Sequence, residues 1–201
     1  IMTLLVHFFW FFGIHDAALA GVLGPIRDGN LSINAAAKAA GEALPHVFTT
    51  PFWVYFVIIG GCGSLLALAI LLVRSKSKQL KTLGRIFIGP SIFNINEPIM
   101  FGAPVVFNPL LMLPMWLNSI VGPAIVYIVM SLGWLNIPAT LNQVGQVPVP
   151  VSTVMITQDM RGILWAVVLF VVYFAIWYPF FKVFEKQKLA EEAQENAPSQ
   201  N

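Results

Sequence analysis

Residues 162–181 run for twenty positions without one charged side chain. The hydrocarbon core of a bilayer is about 30 Å thick, and a helix needs about 20 mostly apolar residues to cross it. Backbone groups in lipid must bond within their own segment, so such a run is helical if it spans. Two further stretches qualify, 54–73 and 119–135, and 1–23 is expected to be a fourth span, truncated at its start. Composition agrees: 58% of residues are hydrophobic and 10% are charged, where soluble domains carry about 25% charged residues. The polar surface of a water-soluble globule is lacking. The expected class is an all-α integral membrane protein of about four transmembrane helices, multi-pass in a lipid bilayer. A net charge of +2 gives no footprint for nucleic acid, and the single cysteine, Cys62, cannot form an intrachain disulfide. The chain opens on Ile1 already inside an apolar run, without a basic leader or a cleavage site. The expectation is a fragment.

The stretch 87–114 is apolar enough to enter a membrane, yet it holds Gly89, Pro90, Pro98, Gly102, Pro104, Pro109 and Pro114. Proline in a helix interior costs about 3 kcal/mol, so one continuous helix is excluded. Broken backbone at membrane depth persists only inside protein or beside a watery cavity. The segment is expected to be a re-entrant helical hairpin with a non-helical tip near 94–98. Charge placement agrees. Arg74, Lys76, Lys78, Lys81 and Arg85 follow the span at 54–73, and Lys182, Lys186 and Lys188 follow the last span. Basic residues beside span ends favour the cytoplasm, and both clusters face one side only if 87–114 leaves by the side it entered. Three connections complete the picture. The Ala-rich 24–44 is expected to be a short helix capped by Asn34 or Ser32. In 136–161, Val147, Pro148, Val149 and Pro150 are expected to be extended. The polar tail, 189–201, is expected to be solvated and cytoplasmic.

Glu97 is the strongest candidate for chemistry. It sits in Asn94-Ile95-Asn96-Glu97-Pro98, inside the broken apolar segment. A carboxylate at bilayer depth costs about 2.5–3.5 kcal/mol on insertion scales and so has a task or a partner. With Asn94 and Asn96 it forms a polar cluster suited to a polyhydroxylated ligand; the plainer alternative is an anchor for hairpin backbone. His15 falls four and eight residues after Phe11 and His7, on one face if the helix continues, and could donate to a sugar hydroxyl or steer Glu97. The histidines and acids lack metal-ligand spacing, and no cofactor is called for. The six tryptophans read chiefly as an interfacial belt, with Trp116, just past the hairpin, the best candidate for stacking on a sugar. Cys62, among Gly60, Gly61 and Gly63, reads as a helix-packing residue.

The run Asn94-Ile95-Asn96-Glu97-Pro98-Ile99-Met100-Phe101-Gly102, continuing through Pro104, Asn108 and Pro109, resembles the signature of phosphotransferase-system sugar permeases. The resemblance is to the membrane component, enzyme IIC, of the lactose/cellobiose/chitobiose family. Trp10-Phe11-Phe12-Gly13-Ile14-His15 resembles that family's histidine motif. The resemblance covers nearly the whole chain, 1–188, and implies the C-terminal half of the transport domain. It implies a homodimer in the full-length protein, located in the bacterial cell membrane, that carries a disaccharide inward. It also implies a cytoplasmic partner, enzyme IIB, whose phosphocysteine phosphorylates the sugar; this chain is then the membrane subunit of a sugar phosphotransferase. Glu97 matches the family's catalytic and sugar-binding glutamate, His15 its sugar-binding histidine, and Asn94 and Asn96 stand beside them. Two positions depart from the pattern: Asp16, where a small residue is expected, and Val149, where an aromatic platform is expected. The alternatives are a proton-coupled secondary transporter, with Glu97 and His15 as a relay, and a non-transporting membrane scaffold.

Overall fold

The computed structural model describes residues 1–103, 105–141, 144–145 and 147–195. Pro104 of the hairpin motif, 142, 143 and 146 of the polar segment, and 196–201 of the tail lie outside the described residues.

Every described element is helical. In chain order these are α1 (Met2–Phe11), a 3-10 turn (Asp16–Leu19), α2 (Ala20–Ala40), α3 (Thr50–Phe52) running into a π-helical turn (Trp53–Val57), α4 (Leu65–Val73), α5 (Lys78–Ile92), α6 (Glu97–Gly102), α7 (Pro109–Ser131), α8 (Val149–Thr157) and α9 (Arg161–Glu195). Helices α7 and α9 are long and apolar enough to cross a membrane. They pack on each other, α1 lies against α7, and α4 lies against both α5 and α9. In α9 one stripe is buried: Ala166, Leu169, Tyr173, Trp177, Phe181 and Phe184, at spacings of three and four. Leu164, Val167, Val171 and Tyr178 point outward, as do Ile120, Tyr127 and Ile128 of α7. Helices apolar on every side are those buried in a larger core or in a membrane.

Several boundaries differ from the sequence expectation. The run at 1–23 is not one helix: it stops at Phe12, turns at Gly13 in the left-handed region, and restarts at Asp16. His15 therefore leaves the face shared by His7 and Phe11 and stands at the head of the next turn. The run at 54–73 is broken too. Gly60, Gly61 and Gly63 all take positive φ, at 80°, 92° and 85°, which glycine adopts without steric cost. They separate the π turn from α4. Helix α2 runs from Ala20 to Ala40 and begins earlier than expected, so Asn34 and Ser32 are interior rather than caps. Asn34 donates to the carbonyls of His46 and Pro138, fastening the following loops.

The hairpin region is broken as expected, with helices on both sides of a tip at 93–96. Its far limit is 108 rather than 114. Pro109 occupies the first turn of α7, where proline leaves no hydrogen bond unmade, and Asn108 caps that helix by accepting from Leu110 N–H and Leu111 N–H at 3.1 and 3.3 Å. The span expected at 119–135 likewise starts ten residues earlier, at Pro109, and its helix ends at Ser131. The extended reading of 147–150 holds for Val147 and Pro148, with φ and ψ of −52° and 134° at Pro148, and fails at Val149 and Pro150, which open α8 because first-turn prolines suit a helix.

At one end of the molecule α9 meets the turn between α4 and α5. Glu185, 4% exposed, accepts from Ser75 Oγ and Lys76 N–H, both at 2.7 Å, and pairs with Lys182 Nζ at 2.7 Å. Burial works to raise the Glu185 pKa, but Lys182, Ser75 and Lys76 outweigh it and hold the group below its usual value. Two turns on, Glu192 accepts from Ser77 Oγ at 2.6 Å and Gln79 N–H at 3.0 Å. The tail expected to be solvated from 189 is thus helical to Glu195 and fastened to α5. These contacts bring both basic runs to the same end.

Candidate functional site

A broken apolar segment exposes backbone groups that need partners. Here buried side chains supply them. His7 Nδ1 donates to Thr3 O at 2.6 Å, which leaves Nε2 to accept from Gly63 N–H at 2.8 Å. Gly63 O accepts from Asn118 Nδ2 at 3.2 Å and Trp177 Nε1 at 3.0 Å. Tyr173 donates to Phe56 O at 2.9 Å. Asn94, at the tip beyond α5, accepts from Gly60 N–H at 2.7 Å and donates to Val54 O at 3.2 Å. Its φ of 60° is left-handed, a conformation asparagine tolerates better than most residues. Two breaks, at 58–64 and 93–96, are thereby fastened together, and a cavity opens beside them.

That cavity measures about 230 Å³ and carries His15, Asp16, Arg27, Asn94, Asn96 and Glu97 on its wall, with Trp53, Val54, Ile58 and Cys62 beneath. The larger cavities have other chemistry, and one of about 390 Å³ is walled by apolar side chains alone. One of about 600 Å³ is almost wholly apolar, and one of about 670 Å³ near Lys38 and Gln158 lacks a carboxylate–histidine pair. Volume alone would select them; the convergence of ionisable groups selects the smaller one.

Glu97 opens α6 and His15 opens the 3-10 turn, so two helix starts converge from 82 residues apart. His15 Nε2 lies 3.1 Å from Glu97 Oε1. Ala17 N–H donates to His15 Nδ1 at 3.0 Å, so the ring proton is on Nε2 and is directed at Glu97. The 3.1 Å approach of Asp16 Oδ1 to the same Nδ1 is therefore a contact with a lone pair rather than an ion pair. Trp10, fully buried, holds the His15 ring edge-on at 4.8 Å. Glu97 Oε2 accepts from Asn96 N–H at 3.1 Å. Each carboxylate oxygen thus has one protein partner and keeps acceptor capacity for a ligand. Both side chains are nearly half exposed, at 45% and 46%, and so reachable from the cavity.

Of the residues read from the sequence, His15, Asn94, Asn96 and Glu97 all reach one cavity wall. Their engagement differs. Asn94 has both ends of its amide bonded to backbone, whereas the buried Asn96 Nδ2 has no protein partner. Trp116 is not at the cavity: it donates to His7 O at 3.1 Å and packs with Phe8 and Phe11. Cys62 is buried at the cavity floor. Arg27 was not anticipated. It lies in a mixed stretch of α2 with no motif around it, and only the fold brings it beside Trp53, on the wall of the cavity that Glu97 also lines.

Comparison with known proteins gives a consistent family of matches. The model of the family described as "Phosphotransferase system, EIIC" matches residues 1–119. The lichenan permease IIC component of Bacillus subtilis is 41% identical over 186 residues, covering 91% of this chain and 41% of the relative. The cellobiose-specific EIIC component of Geobacillus stearothermophilus is 40% identical over 197 residues, covering 96% and 44%. Among solved structures, the transporter ChbC, the IIC component of the N,N'-diacetylchitobiose-specific phosphotransferase system, superposes with a TM-score of 0.90 at 36% identity, over 95% of this chain and 45% of that one. The chain spans less than half the length of these relatives.

Proposed function

This chain belongs to the phosphotransferase system EIIC family, and from that premise we propose that it forms the sugar-binding half of a permease that carries a disaccharide inward for phosphorylation. The observation that carries the reading is the convergence of His15 and Glu97, at 3.1 Å, in a polar cavity walled by broken helices. A sugar offers hydroxyls that both donate and accept. Glu97 accepts from them, and Asn96 Nδ2 donates. The relatives' names specify cellobiose, lichenan, oligo-beta-mannoside, lactose and N,N'-diacetylchitobiose, all of more than one sugar unit. A cavity of about 230 Å³ is below the ~300–1,000 Å³ usual for ligand sites, so one ring sits inside and the next extends from the mouth.

In the membrane, α7 and α9 cross fully, α1 and the broken 50–73 segment form two further crossings, and 87–108 is the re-entrant hairpin. The end carrying Arg74, Lys76, Lys78, Lys81 and Arg85, all exposed, together with Lys182, Lys186 and Lys188, is cytoplasmic. A cytoplasmic enzyme IIB supplies the phosphoryl group there, and the full-length protein works as a homodimer. In the transfer, the attacking sugar hydroxyl gives its proton to Glu97 while its oxygen bonds to phosphorus. Asn94 positions the tip.

The test is sugar uptake by the full-length protein in vesicles. Uptake that requires phosphoenolpyruvate and releases phosphorylated sugar supports the proposal. Uptake of free sugar driven by a proton gradient would replace it with the secondary transporter, in which the Glu97–His15 pair relays the proton. Absence of both uptake and sugar binding would leave a scaffold.

A further inference from the structure

Arg27 stands out in the cavity by what it lacks. Among the described residues it is the only guanidinium or ammonium side chain that lines the cavity. Two carboxylates, Asp16 and Glu97, share that wall. Neither pairs with it: among the described residues, no carboxylate oxygen comes within 4.0 Å of its nitrogens. Glu97 is taken by His15 and Asn96 N–H. The next residue, Asp28, takes the Thr50 hydroxyl. Arg27 Nε is buried without any hydrogen-bond partner. What holds the side chain is an aromatic face, since its guanidinium carbon lies 5.3 Å from the centroid of the Trp53 ring, and Trp53 is 2% exposed.

Asp16 and Asp28 act on Arg27 from beyond 4.0 Å without outweighing its desolvation, and a part-buried cation without a close anion is costly. Cation–π attraction recovers only part of that cost. A neutral sugar would not supply the missing charge either. The planar fork of arginine matches tetrahedral oxyanions, phosphate above all. A wall with two carboxylates repels a phosphoryl group, and one fixed positive charge near them offsets part of that repulsion.

We propose that Arg27 holds the phosphoryl oxygens during transfer to the sugar and on the newly formed sugar phosphate. This rests on the phosphotransferase reading given above. In the step, the sugar hydroxyl oxygen forms a bond to the phosphorus of the partner's phosphocysteine, and the phosphorus–sulfur bond breaks. Sulfur leaves with the electron pair as a thiolate, and the hydroxyl proton passes to Glu97. Arg27 forms no bond of its own. It supplies N–H donors to the non-bridging oxygens, where the charge lies, and fixed donors of that kind contribute about 10²–10³ in rate. Trp53 keeps the fork from folding back onto Asp16.

The experiment uses the full-length permease with phosphorylated enzyme IIB, and takes cellobiose and its phosphate monoester as probes. Arg27→Gln is expected to bind cellobiose within about threefold of the parent, which also reports that the site is folded. It is expected to lose tenfold or more in affinity for the phosphate monoester, and about 10²-fold in single-turnover phosphoryl transfer. Arg27→Lys keeps the charge without the fork, so it is expected to recover part of both. Parental transfer by Arg27→Gln would overturn the proposal. So would equal losses of affinity for cellobiose and its phosphate in both variants, since Arg27 would then be a sugar ligand or a structural residue. A parent that binds cellobiose yet accepts no phosphoryl group refutes the phosphotransferase reading itself, and the Arg27 role with it.

Discussion

Replacing Glu97 by glutamine tests the site most directly. The carboxylate accepts from His15 Nε2–H and from Asn96 N–H, each at 3.1 Å. Glutamine keeps the shape but turns one oxygen into an amide nitrogen. That nitrogen must face a donor, His15 or Asn96, so one of the two bonds is lost whichever way the amide turns. The stability change is expected to stay within about 1 kcal/mol, because a half-exposed group can be resolvated. The effect on ligand is larger. A hydrogen bond to a charged group contributes about 1.5–3 kcal/mol, against about 0.5–1.5 kcal/mol for a neutral pair. The difference, about 1–1.5 kcal/mol for each sugar hydroxyl, is close to a factor of ten in affinity. Phosphoryl transfer should fall further, by about 10²–10⁴, because a glutamine cannot take the hydroxyl proton. Equilibrium binding of cellobiose to the full-length variant, with thermal unfolding as the control, measures the first effect, and single-turnover transfer the second. A folded Glu97→Gln protein with parental affinity and transfer would refute the assignment and leave Glu97 as an anchor for the tip.

Asn94→Ala removes two bonds, to Gly60 N–H and Val54 O, and should destabilise by about 2–4 kcal/mol, since each buried group left unpaired costs about 1–3 kcal/mol; a thermal midpoint equal to the parent's would contradict it. Gly61→Ala should be at least as damaging: its φ is 92° and an added Cβ would lie 2.2 Å from Asn96 Cβ. Sugar binding should fall with stability there, because the displaced residue neighbours Glu97. Glu185 has a folded pKa below its usual value of about 4.5. Its contribution is therefore full above that value and is lost as pH falls through the depressed one. Glu185→Gln should flatten the acid limb of a stability-versus-pH curve below the usual carboxylate value of about 4.5, and an unchanged limb would show that the pairing contributes nothing.

The hairpin break and its glutamate were legible because proline density and a stranded carboxylate are local signals. The His15–Glu97 pairing was half legible. Both residues could be singled out, but a helix-face argument placed His15 with His7, and only the left-handed turn at Gly13 takes it to Glu97. The break at 58–64 was missed, since glycines within an apolar run read equally well as small packing residues. What distinguishes the two readings is the set of donors and acceptors reaching in from α1, α7 and α9, and that set is assembled by the fold. Arg27 was invisible for a similar reason, because its significance lies in a missing partner. Val149 and Pro150 were misread because a proline pair is extended in isolation, yet opens a helix well when a cap precedes it.

The backbone of Gly63 joins three helices at one point: its N–H is held from α1, and its carbonyl takes one donor from α7 and another from α9. A carbonyl has two lone pairs, so removing Asn118 or Trp177 singly leaves it satisfied, while removing both leaves it bare inside the protein. The backbone under the cavity is in this sense fault-tolerant on its acceptor side and intolerant on its donor side, where His7 is the sole partner among the described residues. Sequence drift should therefore be free to exchange either carbonyl donor while the other stays, and much less free to change the histidine.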